Sequence, residues 1–234
     1  MLDAAFENLK TFDWGSDLAT LAPIEEAAIA VHGKNDARQD LEDRLIAALN
    51  GELTRDAQDY VCRKLATIGT SAAVPALSRL LANPDHAHMA RFALERIPGP
   101  EAGQALQDAL VKATGIHLVG IISSLGSRRD TAAVVRLGML LKNADPAVAR
   151  AAALALGTIG SAESAAVLQL AMQSSTSSLP AIVDALLNCA ESLLSSNKQS
   201  DAGSIYKRLN HESQPRLVRL AATRGLLACA SKQA

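Results

Sequence analysis

Apolar residues fall three and four positions apart through most of the chain, and short polar breaks separate the runs. That period is the signature of helices that each bury one face. Four runs, at residues 61–68, 90–97, 116–125 and 148–159, end at breakers: Gly69, Pro98-Gly99, Gly126 and Gly160. Glycine there is the expected end of a helix, because it takes the left-handed conformation at little cost. A second run then opens on a small-residue motif. It reads Ser71-Ala72-Ala73-Val74, Thr131-Ala132-Ala133-Val134 and Ser164-Ala165-Ala166-Val167, with a weaker copy at Glu101-Ala102-Gly103-Gln104. Leu77, Leu106, Leu137 and Leu170 are the expected core positions of these second helices. The unit is therefore helix, tight turn, helix, tight turn, recurring every 28 to 34 residues.

Start signals agree. Asp145-Pro146 places a capping carboxylate before a proline in the first helical position. Asp130 and Ser161 are expected to cap second helices, and Pro84-Asp85 and Pro100 fall in connections. The pattern extends to helices at 179–194, 201–209 and 217–229, and back to a helical pair at 16–31 and 36–49 that stops at Gly33 and Asn50-Gly51. A short helix at 2–12 precedes that pair, with Phe6, Phe12 and Trp14 expected to cover the open end of the array. The expected fold is an all-α, right-handed α-solenoid of stacked antiparallel helix pairs. Residues 1–51 form a helical cap, continuous with repeats over 52–234 in one array.

Composition supports helices and excludes several classes. Apolar residues make up 49% but aromatics only 3%, so close packing through alanine and leucine is favoured over a sandwich or barrel. The three cysteines, Cys62, Cys189 and Cys229, are far apart and form no C-x-x-C; buried small hydrophobes in a reducing compartment are expected. No apolar run approaches the ~20 residues of a membrane span. The first ten residues include Asp3 and Glu7 and no basic stretch, so they are not read as a signal peptide, and a cytoplasmic location is expected. The net charge of −1 hides an asymmetry: residues 1–60 are acidic and 61–234 basic. Two such ends favour salt-sensitive head-to-tail self-association.

The stretch Asp145-Pro146-Ala147-Val148-Ala149-Arg150, through Leu156-Gly157-Thr158-Ile159-Gly160 to Ser164-Ala165-Ala166-Val167-Leu168, resembles the HEAT-repeat consensus of the phycobilisome-lyase-like subgroup. The resemblance covers about residues 60–215 and implies a HEAT/armadillo-like fold. It implies no single function, since such repeats serve adaptors, scaffolds and a few enzymes. Deoxyhypusine hydroxylase, of similar repeats, holds two irons through recurring His-Glu pairs; here one such pair occurs, His211-Glu212, before Pro215. The phycobilin lyases hold a tetrapyrrole among aromatic and acidic residues; here Trp14, Tyr60 and Tyr206 are scattered.

Other candidate chemistry is thin. His86 and His88, two apart, project to different sides of a helix, and His32 and His117 have no partner at useful spacing. Glu25-Glu26 and Glu42-Asp43 read as solvated helix faces. No catalytic residue, metal ligand or cofactor is assigned. The expected role is a non-catalytic protein–protein interaction scaffold that takes a protein or peptide on its concave face, formed by the second helices. The residues expected there are Arg79, Gln104, Gln107, Asp108, Val135, Arg136, Gln169, Gln173, Lys207 and Arg208, a mixture of amides and charges. Arg128 and Arg129, in a turn, are a candidate contact for a phosphate or acidic group. One alternative is nucleic-acid or polyanion binding through the basic residues of 198–224, as in solenoids of the alkylpurine DNA glycosylase type; a lyase- or hydroxylase-type enzyme is the other.

Overall fold

The computed structural model describes residues 1–83, 85–174 and 179–231. Among these residues every regular element is a helix. Pro84, expected in a connection, lies outside the described residues. The chain forms two units, residues 1–113 and 114–234.

The first unit contains α1 (Leu2–Lys10), α2 (Ala22–Ala30), α3 (Asn35–Leu49), α4 (Arg55–Ile68), α5 (Val74–Leu80), α6 (Ala87–Leu94) and α7 (Pro100–Lys112). A 3-10 turn, Leu18–Leu21, leads into α2, so the helix expected from residue 16 begins six residues later. First helices α4 and α6 stack on each other, and α5 and α7 stack beside them. The aromatic cover is partial. Phe12 and Tyr60 meet with ring centroids 6.3 Å apart, and the Arg44 guanidinium lies 4.4 Å over the Phe6 ring. Trp14, by contrast, is 94% exposed, which corrects the expectation that it seals the end.

The second unit contains α8 (Gly115–Ser127), α9 (Val134–Leu140), α10 (Pro146–Ile159), α11 (Ala162–Ser174), α12 (Leu179–Ser195), α13 (Gln199–Leu209) and α14 (Arg216–Ser231). Here α8, α10, α12 and α14 succeed one another as first helices, and α9 packs on α11. Each unit is a stack of helical hairpins, the α-solenoid arrangement.

Capping residues set the register of the second helices. Thr70, Asp130 and Ser161 each accept a backbone amide one turn into the element that follows. Seven residues after each cap comes a fully buried leucine: Leu77, Leu137 and Leu168. Gly99 and Leu106 keep the same spacing. Leu170, expected in the core, is instead 68% exposed, because the Ser164-Ala165-Ala166-Val167 motif sits two residues later relative to its cap than the copies at 71 and 131. Those two copies spend their first three residues on a 3-10 turn, whereas α11 starts directly after Ser161.

Glycines act here chiefly by permitting close approach. Gly126 lies inside α8 rather than after it, and a Cβ on it would stand 2.9 Å from Ala155 Cα. Gly157 repeats the contact one hairpin on, where a Cβ would stand 2.8 Å from Ala185 Cα. The backbones of α8, α10 and α12 therefore touch through Gly–Ala contacts. The turn after α8 uses Arg129 where glycine is favoured: its φ is +53°, and the amides of Arg129 and Asp130 donate to the carbonyls of Gly126 and Leu125.

One carboxylate departs from the expected solvated face. Glu42 is 2% exposed, and its Oε1 accepts from the Thr70 amide at 2.6 Å and the Thr70 hydroxyl at 2.9 Å. It ties α3 to the residue that caps the turn before α5.

Candidate partner-binding face

In each unit the second helices turn one side to the core and the other to solvent. In the first unit α5 exposes Arg79, which hydrogen-bonds Asn50 Oδ1 in the turn after α3. Beside it α7 exposes Gln104 and Asp108, one helical turn apart, with Gln104 Nε2 donating to Asp108 Oδ1 at 2.7 Å. Gln107 does not join them. It is 7% exposed, because it follows Leu106 on the core side of α7, so its expected exposure is corrected.

In the second unit the exposed side of α9 carries Val135, Arg136 and Met139. On α11 the matching side carries Leu170 and Gln173, with Gln169 half-buried. Gly138 brings the two helices together: a Cβ on it would stand 2.6 Å from Val167 Cγ1. Val135, Met139 and Leu170, at 65%, 72% and 68% exposure, thus form an apolar patch across two neighbouring helices. Arg136 and Gln173 lie at its edges, and α13 exposes Lys207 and Arg208. The expected residues include Val135 and the edges of this patch; Met139 and Leu170 were not among them.

The rest of the candidate chemistry is dispersed. Arg128 caps α8 half-buried, and Arg129 is exposed in the turn. His86 sits at the start of α6, and His211 Nδ1 lies 2.9 Å from Ser213 Oγ in the exposed turn before α14. Among the described residues no three His, Cys, Asp or Glu side chains are grouped to hold a metal ion. All three cysteines are buried, and burial pushes the Cys62 and Cys189 thiols up to about 12, away from the thiolate a nucleophile requires. Between first helices α8 and α10 runs an open groove of about 550 Å³, floored by Gly126, Ala151 and Ala155 and edged by Arg150 and Leu154. No described helix is long and apolar enough to cross a membrane.

Residues 118–186, from α8 into α12, match the sequence model of HEAT repeats. Over that stretch the chain is similar to HEAT repeats. No curated protein matches its sequence significantly. Solved structures align along nearly the whole chain. An archaeal HEAT-like repeats protein from Thermococcus onnurineus aligns over 99% of this chain and 97% of its own, at 14% identity and a TM-score of 0.50. The complex of CpcE and CpcF of phycocyanin lyase from Nostoc aligns over 98% and 94%, at 21% identity and a TM-score of 0.46. Human deoxyhypusine hydroxylase aligns over 98% and 96%, at 16% identity and a TM-score of 0.41.

Proposed function

We propose that this HEAT-repeat chain is a non-catalytic adaptor that takes a protein or peptide on the exposed side of α9 and α11. The carrying observation is the patch of Val135, Met139 and Leu170. Three large apolar side chains, each about two-thirds exposed on adjacent helices, cost solubility and contribute nothing to the core. An apolar centre with a polar edge is the anatomy of a protein interface. The edge supplies Arg136 and Gln173, and the exposed Lys207 and Arg208 of α13 extend the cationic character. The partner that fits has apolar side chains flanked by carboxylates.

Nucleic acid fits this face less well. Residues 114–234 contain one Phe, Tyr or Trp, Tyr206, and it is buried, so that unit offers no exposed Phe, Tyr or Trp ring for base stacking. The test is affinity capture from the native cell extract with three baits: the wild type, Val135→Ser/Met139→Ser/Leu170→Ser, and Arg79→Ala/Arg136→Ala/Gln169→Ala. A discrete protein retained by the wild type and lost with the first variant supports the reading. Equal retention by the wild type and both variants removes it. Retention of nucleic acid that falls steeply with salt favours the polyanion alternative.

A further inference from the structure

We infer that the exposed face of α14 binds the Trp14–Leu18 segment of a second copy of this chain, head to tail. The face is built by spacing. Leu217, Leu220, Arg224 and Leu227 recur at three and four residues and line one side of α14, while Ala222, Gly225 and Cys229 line the buried side. Leu217 is 79% exposed, and Leu220 and Leu227 are more than half exposed. Each first helix from α8 to α12 is covered by the next first helix; α14 offers the corresponding apolar helix surface with no described helix on it.

Charge selects the occupant. Residues 216–231 hold three arginines, Arg216, Arg219 and Arg224, and no carboxylate. None of the three forms an ion pair with a described residue. Two α14 faces laid together would set arginine against arginine. The opposite composition occurs at residues 11–33, which hold four carboxylates and no lysine or arginine. Within that stretch Trp14, at 94% exposure, and the exposed Leu18 are flanked by Asp13 and Asp17. Among the described residues those two carboxylates accept only backbone amides, of Trp14 and Ala19. An exposed tryptophan and leucine between acids complement exposed leucines between arginines in both shape class and charge, and tryptophan is a common anchor of such contacts. The two surfaces differ, so the contact is heterologous and each copy keeps one surface open for another.

The test is sedimentation velocity of the full chain over a concentration series at low and high salt. Two variants at exposed positions are included: Leu217→Ser/Leu220→Ser, which removes the tail surface, and Trp14→Ala, which removes the head. The wild type is expected to form species that grow past dimer with concentration, and association is expected to weaken roughly tenfold or more from ~50 mM to ~500 mM salt as the ion pairs are screened. Each variant alone is expected to remain monomeric with unchanged helical circular dichroism. Mixed, they retain one intact head and one intact tail, so a 1:1 dimer that grows no further is expected. A wild type that stays monomeric at ~200 µM and low salt, near the weak end of protein association, overturns the inference. So does a wild type that stops at dimer, or a mixture that stays monomeric.

Discussion

Replacing Gly157 with alanine is expected to destabilise this protein, although the same change in an unconstrained helix stabilises it. Glycine inside a helix costs about 1 kcal/mol relative to alanine, through backbone entropy. At Gly157 the new Cβ would stand 2.8 Å from Ala185 Cα, 3.0 Å from its Cβ and 3.2 Å from its carbonyl oxygen. Carbon atoms pack best at about 3.5–4.0 Å, so α12 must retreat by well over half an ångström. The atoms in the way belong mostly to backbone, and no rotamer change relieves them. Overpacking of this kind costs about 1–3 kcal/mol, which offsets the entropic gain and leaves a net loss of about 1 kcal/mol. Gly203 in α13 provides the internal control. A Cβ there meets nothing nearer than Cys229 Sγ at 4.0 Å, so Gly203→Ala is expected to stabilise by about 1 kcal/mol. Urea unfolding followed by circular dichroism should therefore separate the two variants by about 2 kcal/mol, equivalent to roughly 4–8 °C in Tm. A Gly157→Ala protein as stable as Gly203→Ala would refute the claim that α10 and α12 touch through their backbones.

Other variants probe other links. Glu42→Ala leaves the Thr70 amide and hydroxyl without their buried acceptor and is expected to cost about 1.5–3 kcal/mol in urea unfolding, against almost nothing for the exposed neighbour Asp43→Ala. Arg129→Gly relieves a left-handed residue in the turn after α8 and is expected to gain about 0.5–1 kcal/mol in the same assay, where a loss would mean that the arginine side chain holds the turn. Burial raises the Cys62 and Cys189 thiols and the Tyr60 and Tyr206 hydroxyls to about 12, above their unfolded values. These groups therefore contribute stability that is intact below about pH 9 and is lost as pH rises toward 12, so the urea midpoint should fall steadily over that range. In a thiol-reagent titration at pH 8 the three cysteines should stay silent until denaturant unfolds the chain.

The helices were legible in the sequence because their caps and apolar spacing are strong local signals. Asp145-Pro146, Asp130 and Ser161 all cap where the sequence placed them. The small-residue motif is a poor landmark for register. It drifts relative to the cap, so matching motif to motif predicts Leu170 inside, although that side chain is exposed beside Met139's helix. Counting seven residues from the cap to the buried leucine recovers the register from sequence alone. Glycine was ambiguous for a different reason: a helix end and a close helix contact call for the same residue. Gly160 takes φ +65° and ends its helix, whereas Gly126 faces a neighbouring backbone. Glu42 was illegible because its partner, Thr70, is distant in sequence and nothing local distinguishes it from Asp43.

The binding account stands most directly on a photo-crosslinking amino acid placed at Met139, compared with the same probe at Thr158 on the exposed first-helix side of the same unit. In the native cell extract, the probe at 139 should yield a discrete covalent adduct with a partner protein, suppressed by Leu170→Glu, and the probe at 158 should yield none. Equal labelling from both positions, or no adduct from 139, would contradict the assignment of α9 and α11 as the binding face.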